Sequence, residues 1–266
     1  MSPSLLKRAL KSNVQEGEIL SQLNPRRYPQ KWWPYHSSSD WPLPDGAAVI
    51  ESRKGYQHGP ENITLPWALR GLKAKRLVDL GTGSGSLLII GQYVLKADRS
   101  VGVERQSTVY ERTQRTLHAY EGFIGDRYLD IIEGDCRHAA IIGQVRTTLG
   151  GSADGVLINP PFIPIGWGRK SLNQETYAST HCLAGNIVDF LIAARSLLSE
   201  SGWILILFDA LRMHTLVPAI EQANLKIVKI DYTPDCRDHV DQPYRMWITL
   251  SKSKGISCTS LKTEPW

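Results

Sequence analysis

The sequence of 266 residues contains little cysteine, and its few cysteines are scattered. None of them lies in a CxxC pair or at metal-ligand spacing from a histidine. The four positions are Cys136, Cys182, Cys236 and Cys258. Such scatter is typical of free thiols in a reducing compartment rather than of a zinc site or a disulfide framework. We therefore expect no metal.

The sequence also lacks a continuous apolar run of the roughly 18 residues that a membrane-spanning helix needs. The first ten residues, from Met1 to Leu10, are short, basic and interrupted, which does not fit a secretory signal. We expect a cytoplasmic protein with no membrane partner.

What the chain does have is a basic balance, with a formal net charge of +5. Such a balance favours a polyanionic partner such as nucleic acid. Residues 1–45 are rich in Pro, Trp and basic side chains, and Arg26 to Trp33 mixes cations with aromatic rings. That mixture can bind single-stranded nucleic acid, or it can be an arm whose tryptophans pack on the main domain.

Apolar strands alternate with helical patterns from Lys75 onward, which predicts a parallel sheet covered on both faces. The last two strands, near residues 225–230 and 246–250, follow each other without a helical pattern between them, which favours an antiparallel hairpin. Ser4 to Leu23 has a plausible apolar helical face. We predict an amino-terminal extension (1–45), an α/β domain (46–252) and a polar tail (253–266).

A glycine-rich turn follows the first strand of this alternation. It reads Asp79-Leu80-Gly81-Thr82-Gly83-Ser84-Gly85. Glycines permit tight turning and close approach of a ligand to the backbone. Asp79 would repel a pyrophosphate, so the turn suits a ligand with a cationic end.

Two more acids end the next two strands, Glu104 and Asp135, and Cys136 follows directly. A carboxylate at Glu104 can accept ribose hydroxyls, and Asp135 can meet an adenine amino group. Ligands of open α/β sheets lie outside the carboxyl ends of the strands, so all three acids are expected at one ligand. These motifs resemble the class I Rossmann-like S-adenosylmethionine-dependent methyltransferases. The resemblance implies a seven-stranded sheet of order 3-2-1-4-5-7-6, with the last strand antiparallel and helices on both faces.

The tetrapeptide Asn159-Pro160-Pro161-Phe162 follows the fourth strand. Consecutive prolines fix φ and remove backbone donors, which makes a rigid corner. The Asn159 side-chain oxygen and the Pro160 carbonyl can accept both hydrogens of a planar NH2 group, while Phe162 can stack on a flat substrate. The motif resembles the Asn-Pro-Pro-aromatic motif of amino-group methyltransferases. Their acceptors include adenine N6, guanine N2 and a glutamine side-chain amide of release factors.

The following segment resembles the bacterial tRNA adenine-N6 methyltransferase family that modifies valine tRNA. The resemblance rests on Gly166, Gly168, Arg169, Ser171, Asn173, Ala178, His181, Leu197 and Leu198. It implies tRNA as partner, catalysis by Asn159, Pro160 and Phe162, and substrate binding by Pro161, Arg169, Lys170 and His181. The implied S-adenosylmethionine ligands are Asp79, Gly81, Thr82, Gly83, Gly85, Glu104, Asp135, Cys136 and Asn159.

Other interpretations stay open at this point. They are a release-factor glutamine N5-methyltransferase, an rRNA guanine-N2 or adenine-N6 methyltransferase, and a catalytically silent subunit that keeps only the fold. The glutamine-modifying enzymes usually carry an amino-terminal helical bundle and a Glu-Pro-containing loop, and neither pattern occurs here. The oligomeric state has no signal in the sequence.

Overall fold

A computed structural model describes residues 3–25, 41–59, 61–161, 173, 175–177, 186–232 and 245–253. The helices in these ranges are α1 (Pro3–Ser12), α2 (Glu61–Ala68), α3 (Ser86–Leu95), α4 (Ser107–Tyr120), α5 (Ala139–Leu149), α6 (Ile187–Leu197) and α7 (Met213–Gln222). The strands are β1 (Glu18–Gln22), β2 (Ala48–Ser52), β3 (Arg76–Leu80), β4 (Arg99–Glu104), β5 (Tyr128–Glu133), β6 (Ala153–Ile158), β7 (Leu198–Asp209), β8 (Lys226–Tyr232) and β9 (Arg245–Ser251). Across the same ranges, no helix has both the length and the apolar character that crossing a membrane requires.

Seven strands form one sheet in the order β5-β4-β3-β6-β7-β9-β8. Neighbouring strands from β5 to β7 run parallel, and β9 pairs antiparallel with both β7 and β8. Counted from β3, this order is 3-2-1-4-5-7-6, so the predicted fold class and the predicted carboxy-terminal hairpin are confirmed. The order reverses between β3 and β6, which is the place where open α/β sheets bind ligands.

Each face of the sheet has its own apolar core because successive strand side chains point to opposite faces. On β3, Leu77 packs into one core and Val78 into the other, and both are fully buried. The first core includes Leu88 of α3 and Leu117 of α4, and the second includes Leu191 of α6. The helices therefore cover both faces, and the carboxyl ends of the strands stay free to hold a site.

The amino-terminal segment contains a helix and a strand rather than one long helix. α1 ends at Ser12, and Gly17 then turns the chain with a φ of 79° into β1, which pairs antiparallel with β2. The predicted helix over Ser4 to Leu23 is therefore wrong beyond Ser12, because the β1–β2 ladder satisfies the backbone groups of residues 18–22 instead.

This segment packs on α4 through buried contacts. Leu6 and Leu10 of α1 are fully buried within the first core. The Tyr120 hydroxyl accepts a hydrogen bond from the backbone N–H of Ala48 and donates one to its carbonyl, each 2.9 Å long, and Ile50 N–H donates to Thr116 Oγ1 at 3.1 Å. Strand pairing and core contacts thus cross the predicted boundary at residue 45.

Two other local features differ from the sequence-based expectation. Helix α5 was not predicted, because only Val145 and Leu149 of its side chains are fully covered and Gly143 interrupts its apolar pattern. The apolar helical pattern of the sequence begins at Leu211, but the helix itself begins at Met213, after a short 3-10 turn over Ala210–Arg212.

Candidate functional site

Backbone hydrogen bonds hold the carboxyl ends of β3, β4 and β5 side by side. The N–H groups of Gly81 and Thr82 donate to the Val103 carbonyl at 2.9 and 3.0 Å, and Gly134 N–H donates to the Glu104 carbonyl at 2.9 Å. The turns that carry Asp79, Glu104 and Asp135 are therefore brought to one edge of the sheet, as the order of the motifs predicts.

The glycine-rich turn between β3 and α3 uses the left-handed region at Gly81, Gly83 and Gly85, with φ values of 72°, 54° and 79°. A Cβ at Gly85 would lie 3.0 Å from Cγ2 of Thr113, so a larger residue would require the Thr113 side chain on α4 to shift. The Thr113 hydroxyl also donates to the Gly83 carbonyl at 2.6 Å. The turn is thus shaped by glycine and fixed from the side by α4.

Asp79 lies beneath this turn and is only 1% exposed. Its Oδ2 accepts a hydrogen bond of 2.7 Å from the Thr82 hydroxyl, whereas its Oδ1 is buried and makes no hydrogen bond of normal geometry. The pKa of Asp79 is raised to about 7. Burial is the main cause, and the nearby Glu104 carboxylate also raises the pKa, whereas the Thr82 hydrogen bond and the Leu88 backbone N–H lower it. A buried acceptor without a partner is costly, and a ligand cation would remove that cost.

Glu104, at the end of β4, is 6% exposed and binds three backbone N–H groups. Oε1 accepts from Arg105 and Gln106 at 2.9 and 2.8 Å, and Oε2 accepts from Gly83 at 3.0 Å. Burial nevertheless raises the pKa of Glu104 above its usual value. Glu104 therefore connects the start of α4 to the glycine-rich turn, and the lone pairs left on its oxygens are the ones that ribose hydroxyls can use.

Asp135 follows β5 by two residues and is engaged by its neighbour Arg137. The Arg137 side chain donates to both carboxylate oxygens, with Nη2 2.7 Å from Oδ2 and Nε 3.0 Å from Oδ1. These hydrogen bonds lower the pKa of Asp135. Cys136 is buried, and burial raises the pKa of its thiol to about 12. The predicted contact between Asp135 and an adenine amino group thus competes with an ion pair that the sequence analysis did not anticipate.

The Asn-Pro-Pro corner begins where β6 ends. Ile158 pairs with Leu80 in the parallel register, so Asn159 and Gly81 each follow the last paired residue of their strands at the switch point of the sheet. Asn159 is half-buried and Pro160 is buried. No hydrogen bond joins the Asn159 side-chain amide to the residues that the structure describes, so its oxygen is not committed to them as an acceptor.

Sequence reasoning missed a cluster of ion pairs that joins α4 to β1 and to Glu175. Glu175 accepts a bidentate pair of hydrogen bonds from Arg112 of α4, both 3.1 Å long, and Arg112 Nε also lies 3.4 Å from Glu18 of β1. The Arg112 and Glu175 side chains are 11% and 15% exposed. Because the partners are far apart in sequence, only the folded chain brings them together.

Four predicted site residues lie outside the described ranges. They are Phe162, Arg169, Lys170 and His181. Pro161 is described and half-buried. The roles assigned to these five residues stay predictions.

Solved structures with a similar fold bear methyltransferase names. SMU.776, a candidate methyltransferase complexed with SAH, aligns with a TM-score of 0.52 and 12% identity over 78% of this chain and 54% of its own. PH1948 of Pyrococcus horikoshii, a candidate RNA methyltransferase, aligns with a TM-score of 0.48 and 16% identity over 96% and 98%. The precorrin-6y C5,15-methyltransferase of Geobacter metallireducens aligns with a TM-score of 0.49 and 13% identity over 77% and 93%.

No protein-family model and no curated protein matches the chain. At these identities the structural likeness establishes the fold alone. The chain has the Rossmann-like fold of the class I methyltransferases, with a glycine-rich turn and an Asn-Pro-Pro corner on either side of its topological switch point.

Proposed function

We propose that this chain is an S-adenosylmethionine-dependent methyltransferase that methylates a planar NH2 group, foremost adenine N6 in tRNA or another RNA. The observation that carries the proposal is that Asn159-Pro160-Pro161 directly follows Ile158, which pairs in register with Leu80, the residue before Gly81 of the glycine-rich turn. A cofactor held at that turn and an amino group held at that corner would be neighbours.

The residues of the glycine-rich turn fit the cofactor. The unpartnered Oδ1 of Asp79 suits the ammonium of the amino-acid end, and Glu104 suits the ribose. Because Asp79 is almost fully covered, the groups around it have to shift to admit the ammonium. When bound, the cofactor supplies an electrophilic methyl group on a sulfonium centre.

Asn159 and Pro160 would orient the acceptor. The lone pair of an aromatic amino group is delocalised into the ring, which makes the nitrogen a weak nucleophile. The Asn159 Oδ1 and the Pro160 carbonyl accept its two hydrogen atoms, which favours a pyramidal nitrogen with its lone pair aimed at the methyl carbon. This is catalysis by orientation and preorganised dipoles, and it needs no side-chain base because the proton leaves readily after transfer.

RNA is the substrate class that the chemistry favours. The chain carries a net charge of +5, and the predicted substrate segment includes Arg169 and Lys170, which suit phosphates, and Phe162, which suits a base. His181 and Pro161 would complete this side of the pocket. A tRNA substrate is compatible with the expected cytoplasmic location.

Transfer of a tritiated methyl group to separated tRNA, rRNA and release-factor fractions tests the proposal. We expect label in tRNA, and nucleoside mass spectrometry is expected to identify N6-methyladenosine. Label in guanosine or in a release-factor glutamine would reassign the acceptor, and no transfer to any fraction together with no heat of SAH binding would show a silent fold.

The Asn159→Ala variant tests the mechanism within that assay. We expect the transfer rate to fall by about 10²-fold or more, the scale for losing a preorganised catalytic dipole, while SAH affinity changes little. Asn13→Ala, in the turn after α1, is the matched control and is expected to keep the wild-type rate. Equal rates for both variants would remove Asn159 from the mechanism.

A further inference from the structure

The exposed side of α1 carries cations and no acid. Lys7, Arg8 and Lys11 are exposed, whereas Leu6 and Leu10 on the other side are fully buried. Within the described ranges, none of the three cationic side chains forms an ion pair. The helix is therefore fixed to the domain by its apolar side and leaves three uncompensated charges in solvent.

Two further cations lie where β2 ends. Arg53 and Lys54 are exposed, and neither side chain is paired with an acid among the described residues. Arg53 N–H donates to the Gly17 carbonyl at 3.0 Å, which ties this end of β2 to the turn that follows α1. Glu16 is the exposed acid of that turn. We call Lys7, Arg8, Lys11, Arg53 and Lys54 the amino-terminal basic surface.

A chain of contacts connects the β2 end of this surface to the candidate site. Gly55 follows Lys54 directly, and a Cβ at Gly55 would clash with the Glu175 carboxylate. Glu175 is held by Arg112, and the next residue, Thr113, binds the Gly83 carbonyl of the glycine-rich turn. The cations at the end of β2 are thus connected to the glycine-rich turn through Glu175 and α4.

Other cations of the region are already neutralised. Arg112 and Arg115 of α4 both pair with Glu18, and Arg112 also pairs with Glu175. These four side chains are largely buried and hold the segment in place. Arg112 and Arg115 thus serve the structure, whereas the cations of the amino-terminal basic surface face solvent.

We propose that the amino-terminal basic surface binds the phosphate backbone of the RNA substrate beside the site. The inference rests on the proposed function. Each phosphate that a protein cation neutralises releases condensed counterions, so the surface contributes affinity that falls steeply with salt and is independent of base sequence. Its fixed position on α4 lets it set how the RNA approaches the corner at Asn159.

The main competing partner is an anionic membrane surface, because a basic amphipathic helix can also lie on lipid. Leu5, which is 45% exposed, would support that partner. RNA is favoured because Leu6 and Leu10 are occupied in the core and cannot insert into lipid. Arg53 and Lys54 also extend the cations away from the helix toward the site.

Binding of fluorescently labelled tRNA, measured at salt concentrations from about 50 to 200 mM without cofactor, tests the proposal. The variant is Lys7→Gln, Arg8→Gln and Lys11→Gln combined, since glutamine keeps the helix propensity. We expect the slope of log affinity against log salt to shrink by about 2 and affinity to fall about 10-fold at the lower salt concentrations. Adding Arg53→Gln and Lys54→Gln is expected to reduce the slope further.

The matched control removes three exposed lysines at or just before the amino ends of β3 and β8, as Lys73→Gln, Lys75→Gln and Lys226→Gln. We expect the control to keep most of the slope. An equal loss of slope in both triple variants, an unchanged slope in the α1 variant, or wild-type protein that does not bind RNA would overturn the proposal. So would loss of binding to phosphatidylserine vesicles without loss of RNA binding.

Failure of the proposed function has a different signature. Wild-type protein that binds RNA with the expected salt dependence but transfers no methyl group would overturn the enzyme assignment and leave the basic surface in place. Circular dichroism and thermal unfolding of each variant establish that the fold is retained.

Discussion

The carboxylates at the ends of β3 and β5 were predicted to serve one ligand, yet the structure puts them in opposite environments. Asp79 is buried, has one oxygen that makes no hydrogen bond of normal geometry to the described part of the chain, and has a pKa raised to about 7. Asp135 is bound by the side chain of Arg137, which is 41% exposed, and its pKa is lowered. The carboxylate at the β3 end of the site therefore has an unsatisfied oxygen, whereas the carboxylate at the β5 end is already neutralised by an arginine.

This difference indicates how binding energy would be distributed over the site. A ligand cation at Asp79 would pair with a buried oxygen that makes no hydrogen bond of normal geometry to the described residues, so the gain is large. A ligand amino group at Asp135 would replace a guanidinium near solvent, where ion pairs contribute little. We therefore expect Asp79 at the β3 end to contribute most of the cofactor affinity and Asp135 at the β5 end to contribute little.

The largest expected effect comes from Asp79→Ala. We expect SAH affinity, measured by isothermal titration calorimetry, to fall about 100-fold, since breaking a buried charge pair costs on the order of 3 kcal/mol. Asp135→Ala is the matched comparison and is expected to weaken binding about 5-fold or less, the scale of an exposed pair. Equal losses in the two variants would erase the distinction between the two ends of the site.

A pH series tests the β3 end of the site directly. In the ligand-free protein the pKa of Asp79 is raised to about 7. Only the ionised carboxylate pairs with an ammonium, so below that pH the carboxyl group has to lose its proton when the ligand binds. We expect SAH affinity to rise about 10-fold between about pH 6 and pH 8 and then to level off. Asp79→Asn is expected to flatten this rise.

Any slope that remains in Asp79→Asn would belong to Glu104, whose pKa burial also raises. A variant that keeps the full wild-type slope would show that Asp79 does not meet the ammonium. Titration in two buffers of different ionisation enthalpy counts the released protons independently of the affinity.

The fold follows from patterns that lie within single segments of the sequence. Strands β3, β4, β6 and β7 each contain a short apolar run, and the turn at Gly81 requires glycine. The sheet order was therefore predictable once the motifs were recognised. Helix α5 was not predicted from the sequence because it lacks a clear apolar face, and most of its apolar side chains are only partly buried. β1 escaped because its pairing with β2 depends on a partner some thirty residues away.

The chemistry of the site was predictable to a smaller extent. The positions of Asp79, Glu104 and Asp135 at neighbouring strand ends follow from the alternation of strands and helices. Their protonation and their partners do not, because burial and the approach of Arg137 depend on how the turns pack. The bridge from Arg112 to Glu175 spans 63 residues and has no local signal at all.

The smallest expected effect comes from Arg137→Gln, and its sign is more informative than its size. If adenine has to displace Arg137 from Asp135, removing the guanidinium lowers that cost, and SAH affinity should rise about 3-fold, a gain of about 0.7 kcal/mol, within the range of exposed ion pairs. The gain should disappear in the double variant with Asp135→Ala, because no carboxylate then remains to be released. A decrease in affinity for Arg137→Gln alone would mean that the arginine holds Asp135 in its binding position or contacts the ligand itself. The β5 end would then be as preorganised as the β3 end, and the contrast between the two carboxylates would be one of charge alone.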